Sequence, residues 1–337
     1  MADNDPGSDA LYATFIDASH ILHYHGVVDA YGHISIRNPR NPSTFFMSRN
    51  LAPALISSRA DILEYNISDA SPVDPNAKPG YSERCIHSEI LKRYPGVNSV
   101  IHSHCADILP YCVSSVPLKP TIHMAGFLSS PVPLWDITPH YATDDGNQRH
   151  RADLLVRTPR LGAALASAFC TDHALTTLSD LDPSLSSPSA ANQPADHPLP
   201  SHTTLLMRGH GFTTAAPTVH GAVFQAVYTG VAARTQTSAM VLQNAFGVAS
   251  VMGGGGVYRG DGAVGEPQVD EEVGLWCLNR QEREGTWEMN RETVGRPWGL
   301  WVREVRSRGL YRNEEAGIVE EEEEEEEAAA ERDFVRV

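Results

Sequence analysis

The sequence has no long apolar run, no basic stripe and no signal-like leader. None of its 337 residues lies in an apolar stretch long enough to span a bilayer. Residues 1–10 lack the basic and apolar regions of a signal peptide. No stripe of lysines and arginines indicates nucleic-acid binding. These absences predict a cytoplasmic globular protein that binds neither membranes nor nucleic acid.

Paired cysteines are also absent. The chain has five cysteines without CxxC spacing, at positions 85, 105, 112, 170 and 277. An odd, scattered set is typical of reduced thiols in a cytosolic protein and argues against a disulfide framework. Cys105 follows His104 directly and could bind a metal, whereas the usual burial of cysteine favours a packing role.

Negative charge is concentrated at the C-terminus. Residues 314–337 hold twelve acidic residues and two arginines, so they carry −10 of the total −16 and leave −6 for the rest. A block of like charge repels itself and stays solvated. The segment 313–337 is therefore predicted to be an acidic disordered tail, with a partner-binding tail as the alternative.

Composition divides the chain into segments. Stretches with helical spacing alternate with short strand patterns over most of the length, which predicts a mixed α/β core. Ser, Pro, Ala and Asp dominate one internal stretch, which indicates a surface loop, and glycines dominate a second, which indicates a linker. The predicted organisation is a domain at 1–250 with a loop insert at 171–202, a Gly-rich linker at 251–270 and a helical extension at 271–312.

Individual motifs define the elements of this core. Residues 8–32 have apolar side chains at helical spacing and predict an opening helix. GHISIRNP alternates in polarity and ends in a turn-forming Asn-Pro pair, which predicts a strand. Further predictions are strands at TFFMSRN, SVIHSHC and TLLMRGHGFTTAA, and helices at ERCIHSEILKRYPG, RTPRLGAALASAFC and TVHGAVFQAVYTGVAARTQTSAMVLQ.

Three histidines lie at the ends of two of these strands. His102 and His104 are one residue apart, so in a strand they project from one face. His210 ends another apolar strand between Gly209 and Gly211, which permit a sharp turn and a close backbone approach. Three imidazoles from two strands could hold a metal and leave a coordination position open.

Glu83 lies at the start of the helix that precedes the histidine strand. A carboxylate beside a metal and an apolar wall is suited to general acid/base catalysis. The alternative is a first-turn glutamate that the helix dipole favours.

These motifs resemble the class II aldolase/adducin family. The resemblance is carried, in order, by GHISIRNP, by SERCIHSEILKRYPGVNSVIHSH and by LLMRGHGFTTAA, and it spans roughly residues 8–245 without the insert. It implies an α/β fold, a three-layer α/β/α sandwich with a largely antiparallel central sheet, and a homotetramer with active sites at subunit interfaces. It also implies that His102, His104 and His210 bind a divalent metal ion, zinc or manganese, and that Glu83 is the acid/base.

The chain departs from the phosphate-binding pattern of the sugar-phosphate members. His33, Arg49-Asn50 and Tyr81-Ser82 stand where those members have small hydroxyl, amide and glycine donors. Arginine offers a bidentate fork for a carboxylate. The predicted substrate-binding residues are therefore His33, Ser48, Arg49, Ser82 and Arg37, with a structural ion pair or a surface position as the alternative for the two arginines.

A further histidine points to one branch of the family. PTIHMAGFL resembles the decarboxylases that act on hydroxylated aromatic or heteroaromatic carboxylates, and it makes His123 a candidate second proton donor or substrate ligand. The alternative is an ordinary interior or interface histidine.

The resemblance implies a metal-dependent carbon–carbon lyase with a small-molecule substrate. The favoured activity is decarboxylation of a hydroxylated carboxylate through a metal-stabilised enolate that Glu83 protonates. Three alternatives are open: a class II aldolase that cleaves a non-phosphorylated hydroxy-carbonyl compound, a sugar-phosphate epimerase, and a non-catalytic adducin-like scaffold.

Overall fold

The computed structural model of the chain describes residues 6–141, 152–170, 198–252 and 269–317. Within these ranges no helix is both long enough and apolar enough to cross a membrane. Most of the predicted insert (171–197), most of the predicted linker (253–268) and the tail from residue 318 lie outside the described residues.

A central sheet of seven strands organises the molecule. The strand order is β3-β2-β1-β4-β7-β6-β5, and all neighbours are antiparallel except the parallel pair β5 and β6. The largely antiparallel sheet is thus confirmed. The strands are β1 His33–Arg37, β2 Thr44–Ser48, β3 Ile62–Asn66, β4 Ser99–Ser103, β5 Leu134–Trp135, β6 Thr204–Met207 and β7 Gly211–Ala216.

Helices connect and flank these strands. The opening helix is shorter than predicted: it ends at Tyr24, and Gly26 follows with a φ of +68°, a left-handed conformation that commonly terminates helices. The helices are α1 Pro6–Tyr24, α2 Arg84–Arg93, α3 Leu109–Cys112, α4 Pro159–Ser167, α5 Val219–Met252, α6 Arg280–Arg291 and α7 Gly295–Arg306.

The two faces of the sheet belong to separate apolar cores. Alternation along β4 sends Ile101 into a core shared with α1 and α5, and Val100 into a core shared with α2 and α4. On β2, Phe46 belongs to the first core while Phe45 and Met47 belong to the second. Helices therefore cover both faces, which confirms the three-layer α/β/α sandwich.

The C-terminal residues pack onto the first helix and its neighbours. Arg306 at the end of α7 donates a hydrogen bond to Asp17 of α1 at 2.9 Å. Glu315 is only 4% exposed, and its Oε1 accepts a hydrogen bond of 2.7 Å from the backbone N–H of Arg59. The predicted start of a solvated tail at residue 313 is therefore too early, because a buried carboxylate with an arginine partner is held rather than solvated.

Candidate active site

The histidines of β4 lie at the end of the strand, on the face covered by α2. His102 is directly opposite His33 of β1 and Thr213 of β7, so the three form a row across the sheet. His104 follows the last residue of β4 and projects from the same face as His102. The Nε2 atoms of His102 and His104 are 3.0 Å apart, so the two imidazoles converge.

A tight hairpin between β6 and β7 brings His210 to the same place. Gly209 has a φ of +66°, which a residue with a side chain rarely adopts. A Cβ on Gly211 would overlap the carbonyl oxygen of Ser103, so only glycine lets the hairpin lie this close to the end of β4. The His210 ring centroid is consequently 4.8 Å from that of His102 and 4.9 Å from that of His104.

Glu83 completes the cluster from the N-terminal end of α2. Glu83 is the N-cap residue of α2, and its side chain makes no capping hydrogen bond to the helix. Instead, Oε1 accepts a hydrogen bond of 2.9 Å from the backbone N–H of Val156. Oε2 lies 3.8 Å from Nε2 of His102 and 3.6 Å from Nε2 of His210. One carboxylate oxygen is thus fixed by backbone, and the other faces the imidazoles.

The four side chains fit a divalent cation. One donor atom from each of Glu83, His102, His104 and His210 lies within 4.8 Å of the other three. Burial lowers the pKa of His102 well below its usual value and lowers that of His104, with a further contribution from His210 to both. Neutral imidazoles have free lone pairs, and both buried ring nitrogens of His210 lack a hydrogen-bond partner. Nitrogen ligands of this kind suit zinc and several other first-row ions.

A set of buried hydrogen bonds surrounds the cluster. Nδ1 of His102 lies 3.2 Å from the hydroxyl of Thr213, which fixes the orientation of the ring. His33 is buried beside the cluster and hydrogen-bonds through Nδ1 to Nε2 of His87 at 2.7 Å. No role was predicted for His87 from the sequence. Its position four residues after Glu83 nevertheless puts Glu83 and His87 on one face of α2.

The predicted substrate-binding residues occupy different environments. His33 and Ser48 are buried and line one cavity, whereas Ser82 is exposed next to Glu83. Nε of Arg49 donates a hydrogen bond of 2.8 Å to Oδ1 of Asp61, so part of its guanidinium is committed to a structural ion pair.

Arg37 and His123 are not part of the cluster. Arg37 donates to four backbone carbonyls and thereby ties β1 to neighbouring segments, which is a structural role. His123 is exposed at the start of a short 3-10 helix, and its carbonyl accepts a hydrogen bond from Asn290 of α6. Within the described part of the chain, no hydrogen bond or ring contact joins His123 to Glu83 or the three histidines. The acceptors for Arg37 are the carbonyls of Val97 (3.0 Å), Pro42 (2.9 Å), Leu91 (2.6 Å) and Tyr94 (3.4 Å).

Known proteins resemble the chain in sequence and in fold. Decarboxylase tropJ from Talaromyces stipitatus is 42% identical over 300 residues, which cover 89% of this chain and 96% of the relative. The 3,4-dihydroxyphthalate decarboxylase of Arthrobacter keyseri is 25% identical over 215 residues, covering 62% of this chain and 71% of the relative. L-fuculose 1-phosphate aldolase from Glaciozyma antarctica PI12 superposes with a TM-score of 0.56 at 14% identity, over 93% of this chain and 96% of the aldolase. This last likeness concerns the fold alone.

A family match covers the region that contains the site. Residues 13–237 match the family described as Class II Aldolase and Adducin N-terminal domain, whose class II aldolases are metal-dependent. This range includes Glu83 and all three clustered histidines. With two thirds of its length inside the match, the chain belongs to the class II aldolase and adducin family.

Proposed function

We propose that the protein is a metal-dependent decarboxylase of a hydroxylated aromatic or heteroaromatic carboxylate. The observation that carries the proposal is the convergence of Glu83 with the imidazoles of His102, His104 and His210 at one end of the sheet. The names of the two sequence relatives support decarboxylation as the reaction. The dihydroxylated substrate in the name of the Arthrobacter protein supports the substrate class.

The metal site in this proposal consists of His102, His104 and His210, with zinc or manganese as the ion. A bound divalent cation supplies Lewis acidity to the substrate oxygens. The imidazoles provide lone pairs in a buried setting, and the hydroxyl of Thr213 keeps His102 oriented toward the cluster.

Glu83 is the proposed proton donor. In the reaction the bond between the ring carbon and the carboxylate breaks, CO₂ leaves, and the electron pair stays on the ring carbon. A proton from Oε2 of Glu83 then bonds to that carbon. The backbone N–H of Val156 holds Oε1, so Oε2 is the oxygen directed at the reacting centre. Burial of the carboxylate, which is 5% exposed, limits competing proton exchange with water.

Substrate contacts are assigned to residues beside the cluster. The His33 ring contacts that of His102, Ser82 directly precedes Glu83, and Ser48 lines a cavity together with His33. The Arg49 side chain is 30% exposed in addition to its ion pair with Asp61. Arg37 is withdrawn from this set because backbone carbonyls occupy its donors. No described contact joins His123 to the cluster, and its role as a second proton donor or substrate ligand stays a prediction. The homotetramer and the cytoplasmic location also stay predictions.

The test combines metal analysis with a CO₂-release assay. The substrates are 3,4-dihydroxyphthalate and a panel of other hydroxylated aromatic carboxylates. We expect the wild-type protein to contain about one divalent cation per chain. Glu83→Gln should keep the metal but lose about 10²–10⁴-fold in turnover, the usual contribution of a general acid. His102→Ala should lose both metal and turnover.

Other results would favour the alternative functions. Release of an aldehyde from hydroxy-carbonyl compounds, without CO₂ from any carboxylate, would favour the aldolase. Absence of metal after reconstitution, together with absence of turnover, would favour the scaffold. His220→Gln is the matched control, because this half-buried histidine packs against Trp298 at a ring distance of 4.1 Å and lies on α5, not at the cluster.

A further inference from the structure

The segment before α4 contacts the site at Glu83. Val156 is fully buried, and its backbone N–H donates the 2.9 Å hydrogen bond that holds Oε1 of Glu83. Two residues earlier, the backbone N–H of Leu154 donates a hydrogen bond of 2.6 Å to the hydroxyl of Tyr141, the last residue of a short 3-10 helix. The segment that holds the carboxylate is therefore itself tied to a neighbouring part of the chain.

Leu154 has an unusual backbone conformation. Its φ is +65°, in the left-handed region that a residue with a bulky side chain rarely adopts. Such a conformation persists only where the surrounding structure enforces it, and strained residues concentrate at functional sites. Among the described residues, the only other non-glycine residue with a positive φ is Ala70, which follows β3. The strain at Leu154 thus lies two residues from the N–H that holds the carboxylate.

The side chain of Leu154 contacts the hairpin between β6 and β7. A Cβ on Gly209 would lie 3.3 Å from Cδ1 of Leu154, so this methyl group covers the α-carbon of Gly209. Gly209 directly precedes His210, whose Nε2 is 3.6 Å from Oε2 of Glu83. Leu154 therefore reaches the site in two ways: its side chain packs on the hairpin that carries His210, and its backbone leads to the N–H that holds Glu83.

The other end of the segment is anchored on α2, the helix that begins directly after Glu83. A Cβ on Gly162 of α4 would overlap the carbonyl oxygen of Cys85 on α2, so the two helices are in close contact. The segment is thus fixed at both ends, by Tyr141 and by α4. The left-handed turn between these two anchors sets the direction of the N–H that faces Glu83.

We propose that Leu154 is a positioning residue that holds the carboxylate of Glu83 and the ring of His210 in place for proton transfer. The hydroxyl of Tyr141 keeps Leu154 in its left-handed conformation, and this conformation directs the N–H of Val156 to Oε1. Oε2 is thereby left facing the imidazoles. The catalytic part of this inference rests on the proposed function, in which Glu83 donates the proton, whereas the positioning of the carboxylate does not.

Hydrogen–deuterium exchange of the Val156 amide tests the positioning without any substrate. The exchange is measured on the metal-loaded protein at single-residue resolution by mass spectrometry, and a buried, hydrogen-bonded N–H exchanges slowly. We expect Leu154→Gly and Tyr141→Phe each to speed this exchange by about tenfold, the equivalent of one hydrogen bond of about 1.4 kcal/mol. Glu83→Ala should speed it as well, because the acceptor is removed. Unchanged exchange in both Leu154→Gly and Tyr141→Phe would overturn the proposal, whatever reaction the enzyme catalyses.

Steady-state kinetics of CO₂ release from 3,4-dihydroxyphthalate test the catalytic part. Leu154→Gly should lower kcat by about 10–100-fold, because a displaced proton donor loses rate, while KM and metal content stay within about twofold of the wild type. Glycine adopts a positive φ without strain, which offsets the loss of the side-chain contact, so the melting temperature should stay close to that of the wild type. Leu154→Met keeps an apolar side chain over Gly209 and should retain most of the kcat.

Ala70→Gly is the matched control, because it replaces the other strained residue by glycine. Within the described part of the chain, the backbone of Ala70 hydrogen-bonds to Asn66 and Arg84, and no hydrogen bond joins it to Glu83 or the three histidines. This variant should keep both the slow exchange of the Val156 amide and the kcat of the wild type.

The pattern across variants separates positioning from damage to the fold. An equal loss of kcat in Ala70→Gly and Leu154→Gly would overturn the positioning role, and so would a rise in KM at unchanged kcat in Leu154→Gly. Absence of CO₂ release by the wild-type protein would count against the proposed function alone. The exchange of the Val156 amide would then still decide whether Leu154 positions Glu83.

Discussion

Both faces of the central sheet have an apolar core, but only the face covered by α2, called the polar face below, also carries a cluster of buried polar groups. The opposite face, covered by α1 and α5, is called the apolar face. Ile34, Ile36 and Ile101 face α1 and α5 and lie in a continuous apolar core. The alternate positions His33 and His102 face α2 and carry polar groups at one end of the sheet. Ile101 and His102 are neighbours on β4, yet one belongs to the apolar core and the other to the cluster of Glu83 with three histidines.

The polar face is tolerated because most of its groups have partners on other elements. His33 is paired with His87, His102 with Thr213 and Glu83 with the backbone of Val156. Buried polar groups without partners are costly, so these contacts reduce the destabilisation of the site. His210 is different, because both of its buried ring nitrogens are unpartnered among the described residues. The comparison shows that the face covered by α1 and α5 serves packing, whereas the face covered by α2 combines packing with buried groups suited to bind a ligand.

The largest effects on stability and on metal content are expected from replacing Ile101 and His102, the two neighbours on β4. Ile101→Ala should lower the free energy of unfolding by about 2–5 kcal/mol, because it leaves a cavity in the core, and the metal content should not change. His102→Ala should abolish metal binding. Denaturant unfolding and elemental analysis of both variants measure the two quantities. Loss of metal in Ile101→Ala with unchanged stability would contradict the division between the faces.

Acid should destabilise the protein through the polar face. The pKa of His87 is about 3 in the folded protein against 6.5 for an unperturbed histidine, so between these values the unfolded chain binds one more proton. Stability is therefore fully present above about pH 6.5 and falls with pH below it, by about 3 kcal/mol for this group at pH 4. In His87→Gln the free energy of unfolding should change less with pH over this range than it does in the wild type. His220→Gln should alter this pH dependence to a smaller extent. Equal slopes in wild type and His87→Gln would contradict a neutral buried His87.

The motif spacing was sufficient to predict the cluster but not its supports. Strand alternation puts His102 and His104 on one face, and the glycines beside His210 indicate a tight turn. The hydrogen bond from the backbone of Val156 to Glu83 joins residues 73 positions apart, and no local pattern announces it. His87 could have been found from its i+4 spacing to Glu83, provided that this face of α2 was assigned to the site.

Two strands and the acidic tail illustrate the limits of prediction from sequence patterns. β5 has only two residues, Leu134 and Trp135, which is too short for an alternating pattern. β3 at Ile62–Asn66 is an edge strand with mostly half-buried side chains, so its polarity alternates weakly. The acidic tail was predicted from charge alone. Charge could not reveal that Glu315 hydrogen-bonds to Arg59, which lies more than 250 positions earlier in the chain.

A smaller effect is expected from replacing Gly211, which lets the hairpin between β6 and β7 lie close to the end of β4. Gly211→Ala should lower stability by about 1–3 kcal/mol, since the new Cβ would force β7 away from the carbonyl of Ser103. The same shift moves His210 and should weaken metal affinity. Gly285→Ala is the matched control: no atom lies within 4 Å of its added Cβ, so this variant should be more stable by about 0.5–1 kcal/mol. Unaltered metal affinity in Gly211→Ala would show that the hairpin position does not set the site.

The smallest effects are expected from replacing Arg37 and Arg49, the two arginines that were predicted to bind substrate. Their variants should separate a structural role from a role in substrate binding. Arg37→Lys should lower the free energy of unfolding by about 1–2 kcal/mol. An ammonium group cannot donate to separate backbone carbonyls in the way that the planar guanidinium does. Its KM for a hydroxylated carboxylate should stay within about twofold of the wild-type value. For Arg49→Lys we expect the main effect on the KM, which should rise, and a smaller effect on the free energy of unfolding. The reason is that the Arg49 side chain is partly exposed beside Asp61. If Arg37→Lys instead raised KM without a loss of stability, the guanidinium would have to release those carbonyls to reach substrate, and the polar face would extend further along β1 than its contacts indicate.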